Sequence, residues 1–575
     1  MSININSGDI LENFDQHVKI IAGPGAGKTY WLASNIKHIL INSNRLGKSR
    51  KIGCITHTNT AVDTLINRLN LNTDKISVST IHSFLYKNVV KPYISFIAND
   101  YGFNYEKLHG HDDVEIRISI IRQWLDLHPK KENLKNPFTY NQLVKLPNNM
   151  SALKNWLKSL SFKLNNDKKI FIDYDNSKAL FLSEGSQVRI NATTLNLLKD
   201  DFISFKKIYW AKGIISHDDV LFFSYEILTK FDFVLNILRA KFPYLYIDEF
   251  QDSHPIQVEI IKLIAEKETN IGIIGDTAQS IYEFQGSNPT QLLNFHLENI
   301  QNYTISDNRR STNQIISLLN SIRSDLIQNP LRNENGDTPI LLIGDLNNSL
   351  GFLKNDLGIT DFTVLTRNNE TVLNLEKIDR LSSGDVDLLN QVKVADNNYL
   401  RIKTILSFIN SIEYCVAGNF KKSLSEMMKH NDIESEAFLT LIIFSSQYSK
   451  LKNKSLFDFI KQLKVDFKVD IPLPNSNTRK VYESISYSSF TLSIFSESQI
   501  ERYLTIHKSK GEEYNNVFLV DDNLDYLLDF DIKSEEHRIR YVAMSRAREK
   551  LIISIPSLKD EIRNQLDSKF KIYDV

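Results

Sequence analysis

Residues 22–29 read Ala-Gly-Pro-Gly-Ala-Gly-Lys-Thr, between the apolar run Val18–Ala22 and a helical stretch from Tyr30 to about Ile41. A glycine-rich loop between a strand and a helix lets consecutive backbone N–H groups point at phosphate oxygens. In such a loop Lys28 would reach the terminal phosphates, and the hydroxyl of Thr29 would bind Mg²⁺. The general pattern begins with glycine, but Ala22 is small enough to permit the turn. The candidate nucleotide-binding residues here are Ala22, Gly23, Pro24, Gly25, Ala26, Gly27, Lys28 and Thr29.

The alternation of strands and helices continues on both sides of a long interruption. Strand Ile52–Thr56 precedes a helical stretch from Ala61 to Leu69, and strand-like runs return at Tyr244–Ile247, Ile271–Gly275 and Tyr303–Ile305. This alternation predicts a parallel α/β sheet. A second set of strands is predicted at Ile340–Ile343, Thr363–Leu365, Val517–Val520 and Leu551–Ile555.

Helical periodicity dominates two intervening regions, so we expect two α/β cores, each interrupted by a mainly helical insertion. The first core would comprise residues 1–95 and 205–307, with an insertion at 96–204. The second would comprise residues 308–374 and 490–575, with a reduced insertion at 375–489. Within that insertion, Pro472–Lys480 is predicted to be a connector.

Composition excludes several classes of protein. The 575 residues carry equal numbers of acidic and basic side chains, which suits a globular protein and does not decide whether nucleic acid binds. Cys54 and Cys415 form no CxxC pair, so no cysteine-based zinc or iron–sulfur site is expected. We find no secretory signal and no apolar run long enough to span a membrane, and therefore expect a cytoplasmic protein.

A second acidic element supports nucleotide chemistry. Residues 244–252 read Tyr-Leu-Tyr-Ile-Asp-Glu-Phe-Gln-Asp, so that Asp248 and Glu249 end an apolar strand. Ligands of parallel sheets bind at this edge, beyond the carboxyl ends of the strands. Asp248 would hold Mg²⁺ and Glu249 would deprotonate an attacking water.

The sequence Asp248-Glu-Phe-Gln-Asp252 resembles motif II of the UvrD/Rep/PcrA helicases of superfamily 1A, and the other motifs follow in that family's order. They are Thr56-His-Thr-Asn-Thr-Ala61 (Ia), Thr80-Ile-His-Ser-Phe84 (Ib), Gly275-Asp-Thr-Ala-Gln-Ser-Ile-Tyr-Glu-Phe-Gln-Gly286 (III), Asn308-Arg-Arg-Ser311 (IV), Thr505-Ile-His-Lys-Ser-Lys-Gly-Glu-Glu-Tyr514 (V) and Tyr541-Val-Ala-Met-Ser-Arg-Ala547 (VI). The resemblance implies two RecA-like motor domains that bind ATP and Mg²⁺ between them.

The resemblance also implies roles for residues outside the loop. Gln279 would sense the γ-phosphate, and Arg310 and Arg546 would reach across the cleft to neutralise charge on the transferred phosphoryl group. Glu513 would bind the ribose. Each ATP cycle would move one core along single-stranded or tailed DNA in the 3′→5′ direction.

Candidate DNA contacts follow from the same motifs. Single-strand channels combine phosphate contacts with bases stacked on aromatic rings. Phe284 lies where the family has a stacking tryptophan, and His57 where it often has a base-pocket phenylalanine. The remaining candidates are Asn59, Thr80, His82 and His507.

Three positions depart from the family pattern and leave the nucleotide preference open. Arg309 replaces the motif IV tyrosine that stacks on adenine, although a guanidinium can also stack on a base. The adenine-reading glutamine lies well upstream in the family, whereas here only Gln16 is available, six residues before Ala22. Gln285 replaces the arginine that often follows the motif III aromatic residue.

Three functional hypotheses remain. The chain could be a DNA helicase or translocase. It could instead be an ATP-gated DNA-binding subunit that regulates a separate nuclease, since its compactness resembles the helicase-like subunit of Gabija-type anti-phage systems. An inactive ATPase is the third, and the presence of Lys28, Asp248, Glu249 and both arginines argues against it.

Overall fold

The structure is a computed structural model that describes residues 2–70, 74–108, 110–111, 114, 116–183, 186–283, 286–382, 388–396, 398–416, 418–428, 434–494 and 502–575. The chain forms two compact units. The first contains Met1–Phe362 and Ile506–Val575, and the second contains Thr363–Thr505. Every residue of the candidate site that the structure describes lies in the first unit.

The main sheet of the first unit has seven parallel strands. Their spatial order is Ile3–Ile5, Gln301–Ile305, Val18–Ala22, Asn270–Gly275, Tyr244–Ile247, Ile52–Thr56 and Ile76–Thr80. Its central strands are buried on both faces, as the apolar runs in the sequence predict. The predicted parallel α/β sheet is therefore confirmed, and the carboxyl ends of its strands share one edge.

Helices cover both faces of this sheet and supply its core. Their bounds are Lys28–Asn42, Asn59–Leu69, Ile81–Leu85, His217–Lys230, Asp232–Lys241 and Pro255–Ala265. Gly53 and Gly272 fit between neighbouring side chains, since a Cβ on either residue would lie within 2.5 Å of a side chain on the next strand. The two glycines therefore leave room for Leu245 and Tyr246, on the strand that precedes the acidic pair.

The first insertion has its own core, and it is not purely helical. Its main helices are Ile118–Leu127, Tyr140–Lys145, Pro147–Leu157, Ala192–Leu198 and Phe202–Trp210. Two antiparallel hairpins lie between them, formed by Ser161–Leu164 with Ile170–Asp173 and by Leu180–Ser183 with Ser186–Arg189. Trp124, Trp156 and Phe202 are buried together at the centre of this core.

The first unit also contains a second set of parallel strands, in the order Tyr514–Val520, Ala547–Ile555, Ile340–Ile343 and Lys571–Asp574. The helices beside it are Asn313–Ile322, Leu346–Asn355, Glu535–Met544 and Asp560–Leu566. A short parallel pair joins Asp307–Asn308 to Asn329–Pro330. This pair carries the motif IV residues.

The second unit is mainly helical. Parallel strands Thr363–Thr366 and Tyr503–Thr505 begin and end it. Its helices are Asn369–Ser382, Leu388–Ala395, Tyr399–Val416, Phe420–Met427, Glu434–Ser446, Tyr448–Leu451, Leu456–Val465, Ser476–Ser484 and Tyr487–Ile494. The prediction of a connector over Pro472–Lys480 is wrong from Ser476 onward, because Asn475 caps a helix there. In the part of the chain that the structure describes, none of the helices has the length and apolarity needed to cross a membrane.

Candidate active site

The glycine-rich loop connects strand Val18–Ala22 to helix Lys28–Asn42, as predicted. Gly25 and Gly27 have φ angles of 70° and 81°, in the left-handed region that glycine adopts without strain. A Cβ on Gly25 would lie 2.7 Å from Oδ1 of Asn308. The backbone N–H of Arg309 donates to the carbonyl of Gly25 at 2.8 Å. Motif IV therefore packs directly on the phosphate loop, and only a glycine fits at that contact.

Asp248 and Glu249 lie beside the loop, at the end of strand Tyr244–Ile247. Lys28 Nζ is 3.3 Å from Oε1 of Glu249. Burial and the neighbouring charge of Glu249 raise the pKa of Asp248. Burial alone would raise the pKa of Glu249 as well, but the positive charges of Lys28 and Lys510 outweigh it and lower that pKa. Glu249 is thus held as a carboxylate, the form that a general base requires.

The Asp248 carboxylate fits a divalent cation. It accepts a hydrogen bond from the backbone N–H of Glu249, at 2.9 Å. A bound cation would compensate for the burial of this group. Together with the hydroxyl of Thr29 it offers the oxygen ligands that Mg²⁺ prefers. Mg²⁺ held here would neutralise charge on the phosphate oxygens.

A hydrogen-bond network extends from Glu249 away from the loop. Gln251 Nε2 donates to Oε2 of Glu249 at 2.5 Å, while Gln251 Oε1 accepts from the backbone N–H of Asp276 at 3.0 Å. Asp252 is fully buried and forms an ion pair with Lys510, whose Nζ also donates to the carbonyl of Gln279 at 2.6 Å. Lys510 therefore joins motif V to motifs II and III. The resemblance to motif V implied no role for this lysine.

Gln279 lies in the turn Thr277–Gln279, after strand Asn270–Gly275. Its Nε2 donates to Asp276 at 2.7 Å, and its Oε1 accepts from Nη2 of Arg546 at 3.3 Å. Arg546 is 2% exposed, and burial together with the nearby charge of Arg310 lowers its pKa. The predicted sensor and one predicted arginine finger are thus in direct contact.

The second predicted finger, Arg310, contacts one residue of motif V and one of motif VI. Its Nε donates to Glu513 at 2.9 Å, and its Nη1 donates to the carbonyl of Ser545 at 2.7 Å. Glu513 also accepts from Arg548 at 2.9 Å. Both arginines contribute to the lowered pKa of Glu513, although burial opposes them. Glu513 therefore remains ionised, as an acceptor for ribose hydroxyls would be.

Two further buried arginines fix the turn that carries Gln279. Arg323 forms an ion pair with Asp276 in which both side chains are at most 1% exposed. Arg538 is fully buried and donates to the carbonyl of Ser280 at 2.6 Å. With Lys510 and Arg546, four cations from the later part of the chain therefore contact residues 276–283. Nothing in the sequence pattern distinguishes Arg323, which lies outside the quoted motifs.

Arg309 lies near the entrance to the phosphate loop. Its guanidinium is 5.0 Å from the ring centroid of Tyr30, and its Nε donates to Ser7 Oγ at 2.6 Å. Gln16, by contrast, precedes strand Val18–Ala22, whose far end carries the loop. It donates to Tyr303 at 3.4 Å and accepts from Asn13. The five-residue strand separates Gln16 from the loop by about 16 Å, which argues against an adenine-reading role.

Among the candidate DNA contacts, His57 has a defined partner. Its ring stacks on Tyr282 with centroids 5.0 Å apart and an interplanar angle of 6°. The Tyr282 ring also lies 6.3 Å from His507 and 4.7 Å from Nζ of Lys510. Tyr282 belongs to motif III, yet sequence reasoning did not select it. It connects two candidate DNA residues to the lysine that contacts Gln279.

The remaining candidates are arranged differently. Thr80 Oγ1 accepts from the backbone N–H of Ser83 and caps helix Ile81–Leu85, which gives it a structural role. His82 packs against His217 at 4.8 Å between centroids, and burial lowers its pKa to about 3. Asn59 begins helix Asn59–Leu69 and is exposed. Phe284 and Gln285 lie outside the described residues.

Comparison with known families agrees with this geometry. Residues 3–300 match the UvrD/REP helicase N-terminal domain, and residues 502–554 match the UvrD-like helicase C-terminal domain. The chain belongs to the UvrD/Rep helicase family. The fold class and the resemblance inferred from the motifs are therefore confirmed, and the chain falls in a family of ATP-hydrolysing DNA helicases.

Two relatives match nearly the whole chain. It is 23% identical to a probable DNA helicase II homolog of Mycoplasma capricolum, covering 97% of this chain and 84% of the relative. It is 22% identical to the ATP-dependent DNA helicase Rep of Buchnera aphidicola, covering 96% and 93%. The Gabija protein GajB of Bacillus cereus is 29% identical to this chain over 56% of the chain's length. This chain spans about half of the length of that relative, 49%.

Proposed function

We propose that this protein is an ATP-driven motor that moves 3′→5′ on single-stranded DNA. The observation that carries the proposal is the position of Lys510. One side of this residue contacts Asp252 and the carbonyl of Gln279 next to the nucleotide site, and the other faces the ring of Tyr282. Because a single side chain contacts both sites, a change at one alters the other.

ATP and Mg²⁺ would bind between the cores. Lys28 pairs with Glu249, with Nζ 3.3 Å from Oε1. The terminal phosphates of ATP compete for Lys28, because a lysine in this loop contacts phosphate oxygens. Glu249 would then be released to accept a proton from water, with Lys510 still holding it ionised. Arg546 and Arg310 would neutralise the transferred phosphoryl group.

DNA would bind along the surface formed by His57, Tyr282 and His507. Each stacked base contributes about 1–3 kcal/mol. A base that displaced His57 from Tyr282 would disturb the ring over which Lys510 lies. That disturbance would reach Gln279 and Glu249 through the contacts of Lys510.

The experiment that tests the proposal uses duplexes with a single-stranded tail of either polarity. Strand displacement with a 3′ tail and ATP, but not with a 5′ tail, is the expected result. Lys28→Ala is the matched negative control and should displace neither. Displacement from a 5′ tail alone would overturn the direction. ATP turnover that does not depend on DNA, without strand displacement, would overturn the proposal of a motor.

A second candidate function follows from the match to GajB. The chain would be an ATP-gated DNA-binding subunit that regulates a separate nuclease in anti-phage defence. The two functions are distinguished by purifying the chain from its own cells and assaying any nuclease that co-purifies with it on the same DNA. ATP-dependent control of DNA cleavage, without displacement by the chain alone, would favour the regulatory subunit.

A further inference from the structure

An exposed cluster of four aromatic rings lies on the first unit, where helix Asp232–Lys241 meets the helical turns at residues 86–96. The ring centroid of Phe96 lies 5.5 Å from those of both Phe231 and Phe233, and the ring of Tyr93 lies 5.9 Å from that of Phe233. Phe96 and Phe233 are 57% and 41% exposed. Contacts between rings therefore hold in place large apolar side chains that the fold leaves uncovered.

Ile237 extends this cluster along the helix. It is 48% exposed and follows Phe233 by four residues, so the two side chains are neighbours on one face. Together Phe96, Phe233 and Ile237 expose on the order of 300 Å² of apolar surface, a size that is often functional in folded proteins. Aromatic side chains are also enriched in the cores of protein interfaces. We name the four rings and Ile237 the aromatic end.

Three lysines lie at the other end of the same helix. Lys241 follows Ile237 by four residues, and its Nζ donates to Oδ1 of Asn88 at 2.8 Å. The backbone N–H of Lys51 donates to the carbonyl of Lys241 at 2.8 Å, and Lys87 is exposed next to Asn88 in the chain. Burial and the positive charges of Lys51 and Lys87 lower the pKa of Lys241. We name these three lysines the lysine end.

The positive charge of the lysine end is not neutralised by a neighbouring acid. Among the residues that the structure describes, no carboxylate forms an ion pair with Lys51, Lys87 or Lys241. The acid of the same helix, Asp232, is exposed at the aromatic end instead. From Phe233 to Lys241 the helix rises by about 12 Å. An extended ligand that reaches both ends would therefore carry its anionic groups about four residues away from its apolar group.

We propose that this surface binds a short acidic segment of a partner protein. Carboxylates of the segment would pair with the lysine end, and an aromatic or large aliphatic side chain about four residues away would pack on Phe96 and Phe233. A nucleic-acid strand fits less well, because it carries a phosphate beside every base and needs cations interleaved with stacking rings. Here the cations and the rings lie at opposite ends, and the rings are inclined to one another by 39–85°.

The test is binding of the fluorescein-labelled peptide Asp-Glu-Asp-Ser-Gly-Phe-Phe to the full chain, measured by fluorescence anisotropy at up to about 200 µM protein. We expect saturable binding that weakens as the salt concentration rises, because exposed charges are screened. Phe233→Ala and Lys87→Glu should each weaken binding at least about fivefold, the loss expected when one anchoring contact is removed. Peptides with serine in place of the three acids, or alanine in place of both phenylalanines, should bind more weakly by a similar factor.

Phe171→Ala and Lys559→Glu are the matched controls. Phe171 is 44% exposed on a hairpin of the insertion, and Lys559 is exposed just before helix Asp560–Leu566. Both controls should bind the peptide as the wild type does. All four variants should keep the wild-type melting temperature and ATP turnover, because none of them changes a residue of the nucleotide site.

Three results would each overturn the proposal. The first is a wild-type chain that does not bind the peptide, and the second is binding that the control substitutions weaken as much as Phe233→Ala and Lys87→Glu do. The third concerns single-stranded DNA, whose affinity should be the same for the wild type and these two variants. If Phe233→Ala and Lys87→Glu lowered the affinity for DNA and left that for the peptide unchanged, the surface would bind nucleic acid instead.

Discussion

Replacing Lys510 with methionine removes the charge that pairs with Asp252 and lies 4.7 Å from the ring centroid of Tyr282. The ion pair with Asp252 is almost fully buried, with side chains 8% and 0% exposed. Breaking such a pair by deleting one partner costs about 3–5 kcal/mol. If that cost falls on the closed arrangement needed for hydrolysis, DNA-stimulated ATP turnover should fall by a factor between about 10² and about 5 × 10³.

The pH dependence of turnover provides a second readout. Lys510 lowers the pKa of Glu249, so its removal raises that pKa. Glu249 would then take up a proton at a higher pH, and the base would be lost earlier on acidification. The midpoint of the acidic limb should move upward by about one pH unit, the order expected for a nearby unit charge.

Two control variants test whether Lys510 acts through its position in the site or only by balancing the charge of Asp252. Lys559→Met removes an exposed lysine of the same core and should leave turnover unchanged. Lys510→Met/Asp252→Asn removes both members of the pair, so it should recover the thermal stability lost by the single variant. Turnover should stay low, because the contact with the Gln279 carbonyl is still absent. Full recovery of turnover, or a single variant within threefold of wild type, would refute this role.

Three further substitutions test other contacts of the site. Gly25→Ala places a Cβ 2.7 Å from Oδ1 of Asn308 at a left-handed φ. ATP turnover should therefore fall more than about tenfold, while the melting temperature changes little. An unchanged rate would contradict the packing of motif IV on the loop. Tyr282→Ala should weaken single-stranded DNA binding by about tenfold in fluorescence anisotropy, the loss expected for one stacked base; equal affinity would show that DNA does not contact this ring. Arg546→Ala should lower the maximal ATP turnover rate by about 10³-fold with ATP binding retained; loss of binding instead would identify a structural arginine.

The sequence was sufficient for the phosphate loop, the acidic pair and the parallel sheet. Strands such as Ile52–Thr56 and Tyr244–Ile247 were predicted with their observed bounds, because continuous apolar runs are typical of strands buried on both faces. Edge strands Ile3–Ile5 and Ile76–Thr80 were missed. The first is short and largely exposed, and the second is only half-buried, so neither has a strong apolar signal.

Contacts between distant segments could not be predicted. The pairing of Arg323 with Asp276 and of Lys510 with Asp252 depends on how the second set of strands packs against the first. Likewise, no local pattern reveals that the Arg309 guanidinium lies over Tyr30. The sequence alone identified the residue types that the chemistry needs. The contacts between distant residues became visible only in the fold.

The most direct test of the central claim is steady-state ATP turnover by the wild type and by Glu249→Gln, each with and without single-stranded DNA. The substitution preserves shape and removes the base. We predict that DNA raises wild-type turnover by at least about tenfold, and that Glu249→Gln lowers the DNA-stimulated rate by about 10²–10⁴-fold while still binding a fluorescent ATP analogue. ATP turnover that does not rise when DNA is added, or that is unchanged in Glu249→Gln, would contradict a DNA-coupled ATPase at this site.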